Sequence, residues 1–313
     1  MIIYIDTPLK AREKERINKY FGDSYQVYFT DEFKNDADKV DAISKADVLF
    51  GNPKPALMAQ AVSAKWIQLF TAGFEYYQDI KTEAIVTNMD DYYSQPCAET
   101  MVGGMMALYR KMDVFGLLKE KKEWIGAPIR LELKLLEHKK VIILGTGNIG
   151  RRVAKILKAF DMEILFFGRT AKDAAMRTSD ELTQKIPWAD FIIGCLPGTS
   201  ETKGLFTKEM IEKMNETAVF CNVGRGNLVA DEDALIRALM DRKIGGAVLD
   251  VTASEPIPAD SKLWVCPNTI LSQHSGGGQE SEYTGLVELF LENFENFKEG
   301  LPLKNRISFQ KGY

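Results

Sequence analysis

Apolar residues in this chain follow two rhythms: short unbroken runs, and longer stretches in which they recur every third or fourth position. Their alternation predicts strands interleaved with helices. Residues 2–5 (Ile-Ile-Tyr-Ile) read as a strand and the charged, periodic stretch 9–20 as a helix. Further strands are expected at 25–29, at 47–50 (cut off by Gly51-Asn52-Pro53), at 66–70 and at 84–87. Strands separated by helices pack naturally as a parallel sheet covered by helices.

Residues 97–111, rich in Met, Ala, Leu and Gly, read as a long buried helix, in which Gly103-Gly104 suggests close approach of another backbone. A second strand series starts near Lys139, with strands expected at 141–144, 163–167, 191–195, 218–222, 247–251 and 269–272. Six strands spaced by helices are what a complete dinucleotide-binding domain requires. The stretch 282–299 sets Leu286, Leu289, Phe290, Phe294 and Phe297 at helical spacing, the mark of a core-facing helix. The expected fold class is α/β, with two doubly wound parallel-sheet (Rossmann-like) domains.

Composition adds limits. A length of 313 residues favours two domains, and 45% hydrophobic with 27% charged residues is ordinary for a globular protein with a sizeable core. A net charge of −4 argues against nucleic-acid partners, and basic runs such as Lys119-Glu120-Lys121-Lys122 are interrupted by acid and read as solvated surface. The start of the chain lacks the basic and long apolar regions of a signal peptide, and no stretch approaches the roughly 18 apolar residues of a membrane span. Cys97, Cys195, Cys221 and Cys266 show neither CxxC spacing nor disulfide density, and three of them sit in apolar, strand-like contexts, so core thiols in a reducing, cytoplasmic setting are expected, with no metal.

Gly145-Thr146-Gly147-Asn148-Ile149-Gly150 follows an apolar strand and opens a helix with Val153, Ile156 and Leu157 on one side. That order suits a pyrophosphate: the first glycine turns the chain, the second admits the phosphate, and the third lets helix pack on strand. At the end of the next strand, where an NAD site usually carries Asp or Glu, stand Gly168-Arg169-Thr170 and then Lys172. A guanidinium there can pair with a 2′-phosphate, so NADP(H) is favoured over NAD(H); the alternative is that Arg169 lies over the adenine ring. Further cofactor contacts are expected at Leu196, Pro197, Thr202, Val223, Gly224, Asp250 and Gly276.

Only two histidines occur. His138 precedes a strand, at the edge of the sheet where ligands do not bind, whereas His274 follows one, at the productive carboxyl edge. Arg225, between two glycines, and Glu255 likewise stand after strands of their own. An arginine there can grip a carboxylate and polarise a carbonyl, and a carboxylate beside an imidazole favours its charged, proton-donating form. Arg225, Glu255 and His274 thus form a set for hydride chemistry at a carbonyl.

These stretches, with Asp231-Glu232-Asp233-Ala234-Leu235 and Leu249-Asp250-Val251, resemble the D-isomer-specific 2-hydroxyacid dehydrogenase family over nearly the whole chain. The resemblance implies that Arg225 binds the substrate's carboxylate and keto oxygen, Glu255 supports His274, and His274 passes the proton. It implies that backbone N–H groups of Thr71-Ala72-Gly73 hold the carboxylate. It also implies two α/β domains around a cleft, a substrate-binding domain at 1–92 and 279–313 and a dinucleotide-binding domain at 93–278, in a homodimer. Gly168-Arg169-Thr170 and residues 258–264 look like the NADP-preferring glyoxylate and hydroxypyruvate reductases. Gln273 departs from the family, which commonly has proline there. Two other classes remain open: a dinucleotide-sensing corepressor without turnover, and a formate- or phosphite-type dehydrogenase of the same fold.

Overall fold

The computed structural model describes residues 1–309, and the chain divides into two compact units. One is Met1–Tyr92 together with the stretch from Gln279 onward; the other is Tyr93–Gly278. Each is built on its own six-stranded sheet.

The first unit contains β1 (Ile2–Asp6), β2 (Gln26–Phe29), β3 (Val48–Gly51), β4 (Trp66–Gln68) and β5 (Ile85–Thr87), with β12 (Arg306–Ile307), the last strand among the described residues, at one edge. The order is β12-β5-β4-β3-β1-β2, parallel except for the antiparallel pairing of β12 with β5. Ile3, Tyr4, Ile5, Val48, Leu49 and Phe50 are fully buried on both faces, which is why these strands read as unbroken apolar runs rather than alternations. The sheet is served by α1 (Ala11–Phe21), α2 (Asp36–Ser44), α3 (Pro55–Met58) and α10 (Glu282–Lys298). From α10, Phe290 stacks 4.4 Å from Phe50 and 5.3 Å from Trp66. Buried Asn293 donates to Gln68 Oε1 at 3.0 Å, tying that helix to β4. The turn after β1 is filled: Thr7 is buried and its hydroxyl donates to the Phe50 carbonyl at 3.2 Å.

The second unit contains β6 (Lys140–Leu144), β7 (Glu163–Phe167), β8 (Phe191–Gly194), β9 (Val219–Asn222), β10 (Gly246–Leu249) and β11 (Thr269–Leu271). All pair in parallel in the order β11-β10-β9-β8-β6-β7. A single parallel bridge from Phe167 to Met176 extends the edge beyond β7. The direction of the strand order reverses between β6 and β8, the place where open α/β sheets take ligands. Its helices are α4 (Ser94–Tyr109), α5 (Met112–Lys121), α6 (Asn148–Leu157), α7 (Ser179–Lys185), α8 (Lys208–Glu212) and α9 (Glu232–Met240). On α6, Gly150, Val153, Ala154 and Leu157 form one buried stripe, and the helix packs against α4.

The glycine pair of α4 behaves differently from the sequence expectation of a close backbone. A β-carbon on Gly104 would lie 2.4 Å from Val248 Cγ1, a side chain of β10, while one on Gly103 would meet nothing within 4 Å. Gly104→Ala is therefore expected to cost about 1–3 kcal/mol through overpacking. Gly103→Ala should stabilise by up to about 1 kcal/mol, because glycine is a poor helix former. Chemical denaturation of the two variants gives the check; equal effects would contradict the packing.

Among the described residues no helix is long and apolar enough to cross a membrane, and all four cysteines are free thiols.

Candidate active site

Three neighbouring strands of the second unit, β9, β10 and β11, end in loops that carry the predicted chemistry. After β9, buried Asn222 folds the loop back: its amide donates to the Arg225 carbonyl at 2.9 Å and its oxygen accepts from Gly224 N–H at 3.1 Å. Arg225 stands half-buried at the rim, Nη1 donating to the Gly224 carbonyl at 2.8 Å. A β-carbon on Gly226 would sit 1.8 Å from the Thr252 carbonyl oxygen, so only glycine lets this loop press onto the one after β10.

In the β10 loop, Glu255 is fixed from both sides. Its Oε1 accepts from the Thr252 N–H at 2.9 Å, and Oε2 lies 2.6 Å from His274 Nδ1. A carboxylate there selects the tautomer with hydrogen on Nδ1, leaving Nε2 as the nitrogen that exchanges protons. The His274 side chain is 54% exposed, so that nitrogen is accessible in this unit.

The loop after β11 hangs on one buried carboxylate. Asp250 Oδ1 accepts from Ser272 Oγ at 2.7 Å, Ser275 N–H at 3.1 Å and Gly276 N–H at 2.9 Å, and His274 N–H donates to the Asp250 carbonyl at 2.6 Å. Gln273 and His274 are both left-handed, with φ of +55° and +53°. Proline, locked near φ −65°, cannot take the Gln273 conformation, which gives the departure at 273 a physical reason. Cys97 lies close by, 3.7 Å from where a Gly277 β-carbon would stand, but burial, reinforced by the charge of Asp250, pushes its thiol up to about 12. It is a core thiol rather than a nucleophile.

The glycine turn after β6 meets the demands of a dinucleotide. Gly145 has φ +118°, and a β-carbon on Gly150 would lie 2.4 Å from the Gly145 carbonyl, so both glycines are needed to turn and pack. Gly147 faces open space and caps α6 without any side-chain bond, so the N–H groups of Asn148, Ile149 and Gly150 open the helix beneath an uncapped end. An uncapped amino end beneath a bare glycine fits a pyrophosphate. Beside it, Gly224 packs on Leu196, where a β-carbon would be 2.4 Å from the carbonyl oxygen. Thr202 closes a turn with Thr199 N–H at 3.0 Å and with the Pro197 carbonyl.

Val223 is buried in the core, and Gly276 gives its N–H to Asp250, where a β-carbon would fall 2.9 Å from the carboxylate. Arg169, Thr170 and Lys172 are exposed after β7. Arg169 pairs with Glu201, a residue sequence reasoning missed, and its carbonyl accepts from Arg177 Nη1 at 3.0 Å.

In the first unit, Thr71-Ala72-Gly73 follows β4 and is clamped by two asparagines. Asn52 donates to Thr71 Oγ1 at 2.8 Å and accepts from Phe70 N–H at 2.8 Å, while Asn88 donates to the Ala72 carbonyl at 2.7 Å. Thr71 Oγ1 in turn donates to the Gly73 carbonyl at 2.7 Å. The two asparagines were legible only as polar residues after strands.

Residues 102–276, more than half of the chain, match the family model described as D-isomer specific 2-hydroxyacid dehydrogenase, NAD binding domain. A glyoxylate reductase of Pyrococcus horikoshii is 35% identical over 224 residues, covering 69% of this chain and 66% of that protein. A hydroxyphenylpyruvate reductase of Plectranthus scutellarioides is 28% identical over 272 residues, covering 86% and 80%. Among solved structures, a D-isomer specific 2-hydroxyacid dehydrogenase family protein from Aeromonas salmonicida aligns with a TM-score of 0.83 at 28% identity, over 98% of this chain and 99% of that one.

Proposed function

Because this chain belongs to the D-isomer specific 2-hydroxyacid dehydrogenase family, we propose that it reduces a small 2-keto acid to the 2-hydroxy acid with NADP(H), in the manner of a glyoxylate or hydroxypyruvate reductase. The observation that carries the reading is the 2.6 Å contact of His274 Nδ1 with Glu255, beside Arg225 on the adjoining loop. When bound, the reduced nicotinamide supplies the hydride. Arg225 grips the substrate carboxylate and polarises the keto oxygen, through charge-assisted bonds set in place before reaction. His274 delivers the proton from Nε2 to the developing alkoxide, and Glu255 holds the ring in place through Nδ1. The Thr71-Ala72-Gly73 loop offers backbone N–H groups suited to a carboxylate, and the asparagine clamps order that loop.

The residues suited to the dinucleotide are Gly145, Gly147, Asn148, Ile149 and Gly150 at the pyrophosphate. Leu196, Pro197, Thr202, Val223, Gly224, Asp250 and Gly276 follow the neighbouring strands, and Arg169, Thr170 and Lys172 serve the 2′-phosphate end. Support for NADP(H) is the exposed guanidinium after β7 where a carboxylate would serve NAD(H). The protein works as a cytoplasmic homodimer without nucleic-acid or membrane partners. Support for self-association is the apolar surface of 112–135, where Leu117, Trp124, Leu131 and Leu135 are all exposed.

Spectrophotometric oxidation of NADPH and NADH over glyoxylate, hydroxypyruvate, pyruvate and longer 2-keto acids tests the proposal. Turnover of a small 2-keto acid with at least about tenfold preference for NADPH, roughly 1.4 kcal/mol, is expected. A tenfold NADH preference overturns the cofactor reading, and no turnover on any 2-keto acid favours a sensor or another dehydrogenase of this fold.

A further inference from the structure

An ion pair spans the mouth of the glycine turn, and the activity proposed above gives one of its partners no task. Strand order sets β6 between β7 and β8, so loops leaving β7 and β8 face each other over the end of β6, where Gly145 and Gly147 lie. Arg169 comes from the first loop and Glu201 from the second, and Arg169 Nη1 donates to Glu201 Oε2.

Both side chains are delivered by ordered backbone. The Arg169 loop is drawn together by Gly168 N–H donating to the Met176 carbonyl at 3.0 Å and by Arg177 on the Arg169 carbonyl. Gly168 also abuts the glycine turn itself: a β-carbon there would be 2.8 Å from Thr146 Cγ2. Glu201 stands beside Thr202, which is 8% exposed and bonded to Thr199 and Pro197, and the loop is tied on by Gly204 N–H donating to the Asn227 carbonyl at 2.8 Å.

We infer that Glu201 is a specificity-determining residue whose carboxylate occupies Arg169 as an internal stand-in for the cofactor's 2′-phosphate, tempering the preference for NADP(H). This rests on Arg169 being the partner of that phosphate. A 2′-phosphate claims the guanidinium in a bidentate pair, so the carboxylate is displaced and left beside a second anion. NAD(H), with hydroxyls only, leaves the pair intact and Arg169 neutralised. Arg169 is 59% and Glu201 61% exposed, and an ion pair so solvated is worth only a few-fold in an equilibrium constant. The device therefore narrows the discrimination without reversing it.

Fluorescence titration of the full chain with NADPH and NADH, at low ionic strength, reads this directly. Glu201→Gln is expected to tighten NADPH binding about three- to fivefold while NADH affinity moves less than about twofold. In an Arg169→Gln background the same change should give a clearly smaller gain for NADPH, since only the repulsion between the carboxylate and the 2′-phosphate is then relieved. Unchanged NADPH affinity in Glu201→Gln, equal weakening of both cofactors, or an equal gain in the Arg169→Gln background each overturns the inference. Failure of the Arg169 reading looks different: Arg169→Gln would then leave NADPH affinity where it was.

Discussion

Replacing His274 with alanine is expected to lower kcat by about 10²- to 10⁴-fold, the usual share of a positioned acid–base group, with cofactor affinity nearly unchanged. The imidazole stands on the surface of its unit, with the side chain 54% exposed, so its removal empties no core. The loop itself is held by Asp250 through Ser272, Ser275 and Gly276, none of which depends on the ring. A loss confined to turnover, with an unshifted thermal melt, therefore isolates proton transfer. Glu255→Gln should cost less, about 10- to 100-fold: the amide oxygen can still accept from Nδ1, without the charge that makes such a bond strong, while the amide NH2 then faces the Thr252 N–H where an acceptor stood. Steady-state kinetics and single-turnover NADPH oxidation provide the check. A His274→Ala protein with near-normal rates on 2-keto acids would sink the assignment.

The second large effect belongs to Arg225. Arg225→Lys keeps the charge and loses the planar fork, and a drop in kcat/KM of about 10²- to 10³-fold is expected, the scale seen when one preorganised electrostatic donor is removed. Both constants should suffer, since the role proposed for Arg225 engages the ground-state carboxylate and the developing oxyanion alike. The fold should suffer little, because Asn222 ties the turn through backbone groups of residues 224 and 225, and the guanidinium adds one bond, to the Gly224 carbonyl, that a lysine ammonium can also donate. Retention of wild-type kcat/KM in the lysine variant would show that Arg225 does not meet the substrate.

The strands were legible because most are buried on both faces: Val141, Ile142, Ile143 and Leu144 have no exposure, and an unbroken apolar run is the necessary result. β12 was not legible, since two residues carry no periodicity and their place is set by pairing with Thr87 and Val86. The sequence also contrasts the two turns after first strands. Thr7 plugs one with its side chain, whereas Gly145, Gly147 and Gly150 leave the other bare. Hidden features depend on distant residues. Glu201 reaches Arg169 across 32 positions of chain, and the left-handed backbone at Gln273 is imposed by a loop anchored on Asp250. In the same way the Gly103-Gly104 pair signalled a close approach, but the neighbour is a side chain, Val248, and not a backbone, and it meets only Gly104.

Arg225, Glu255 and His274 stand after consecutive strands of one sheet, and the loops of the first two are in backbone contact at Gly226 and Thr252. The three residues proposed for acid–base chemistry thus lie inside 93–278, while the loop proposed for the substrate carboxylate lies outside it. On the proposed roles, a mutant library confined to residues 1–92 varies the loop offered to the carboxylate without rebuilding the three loops that position Arg225, Glu255 and His274.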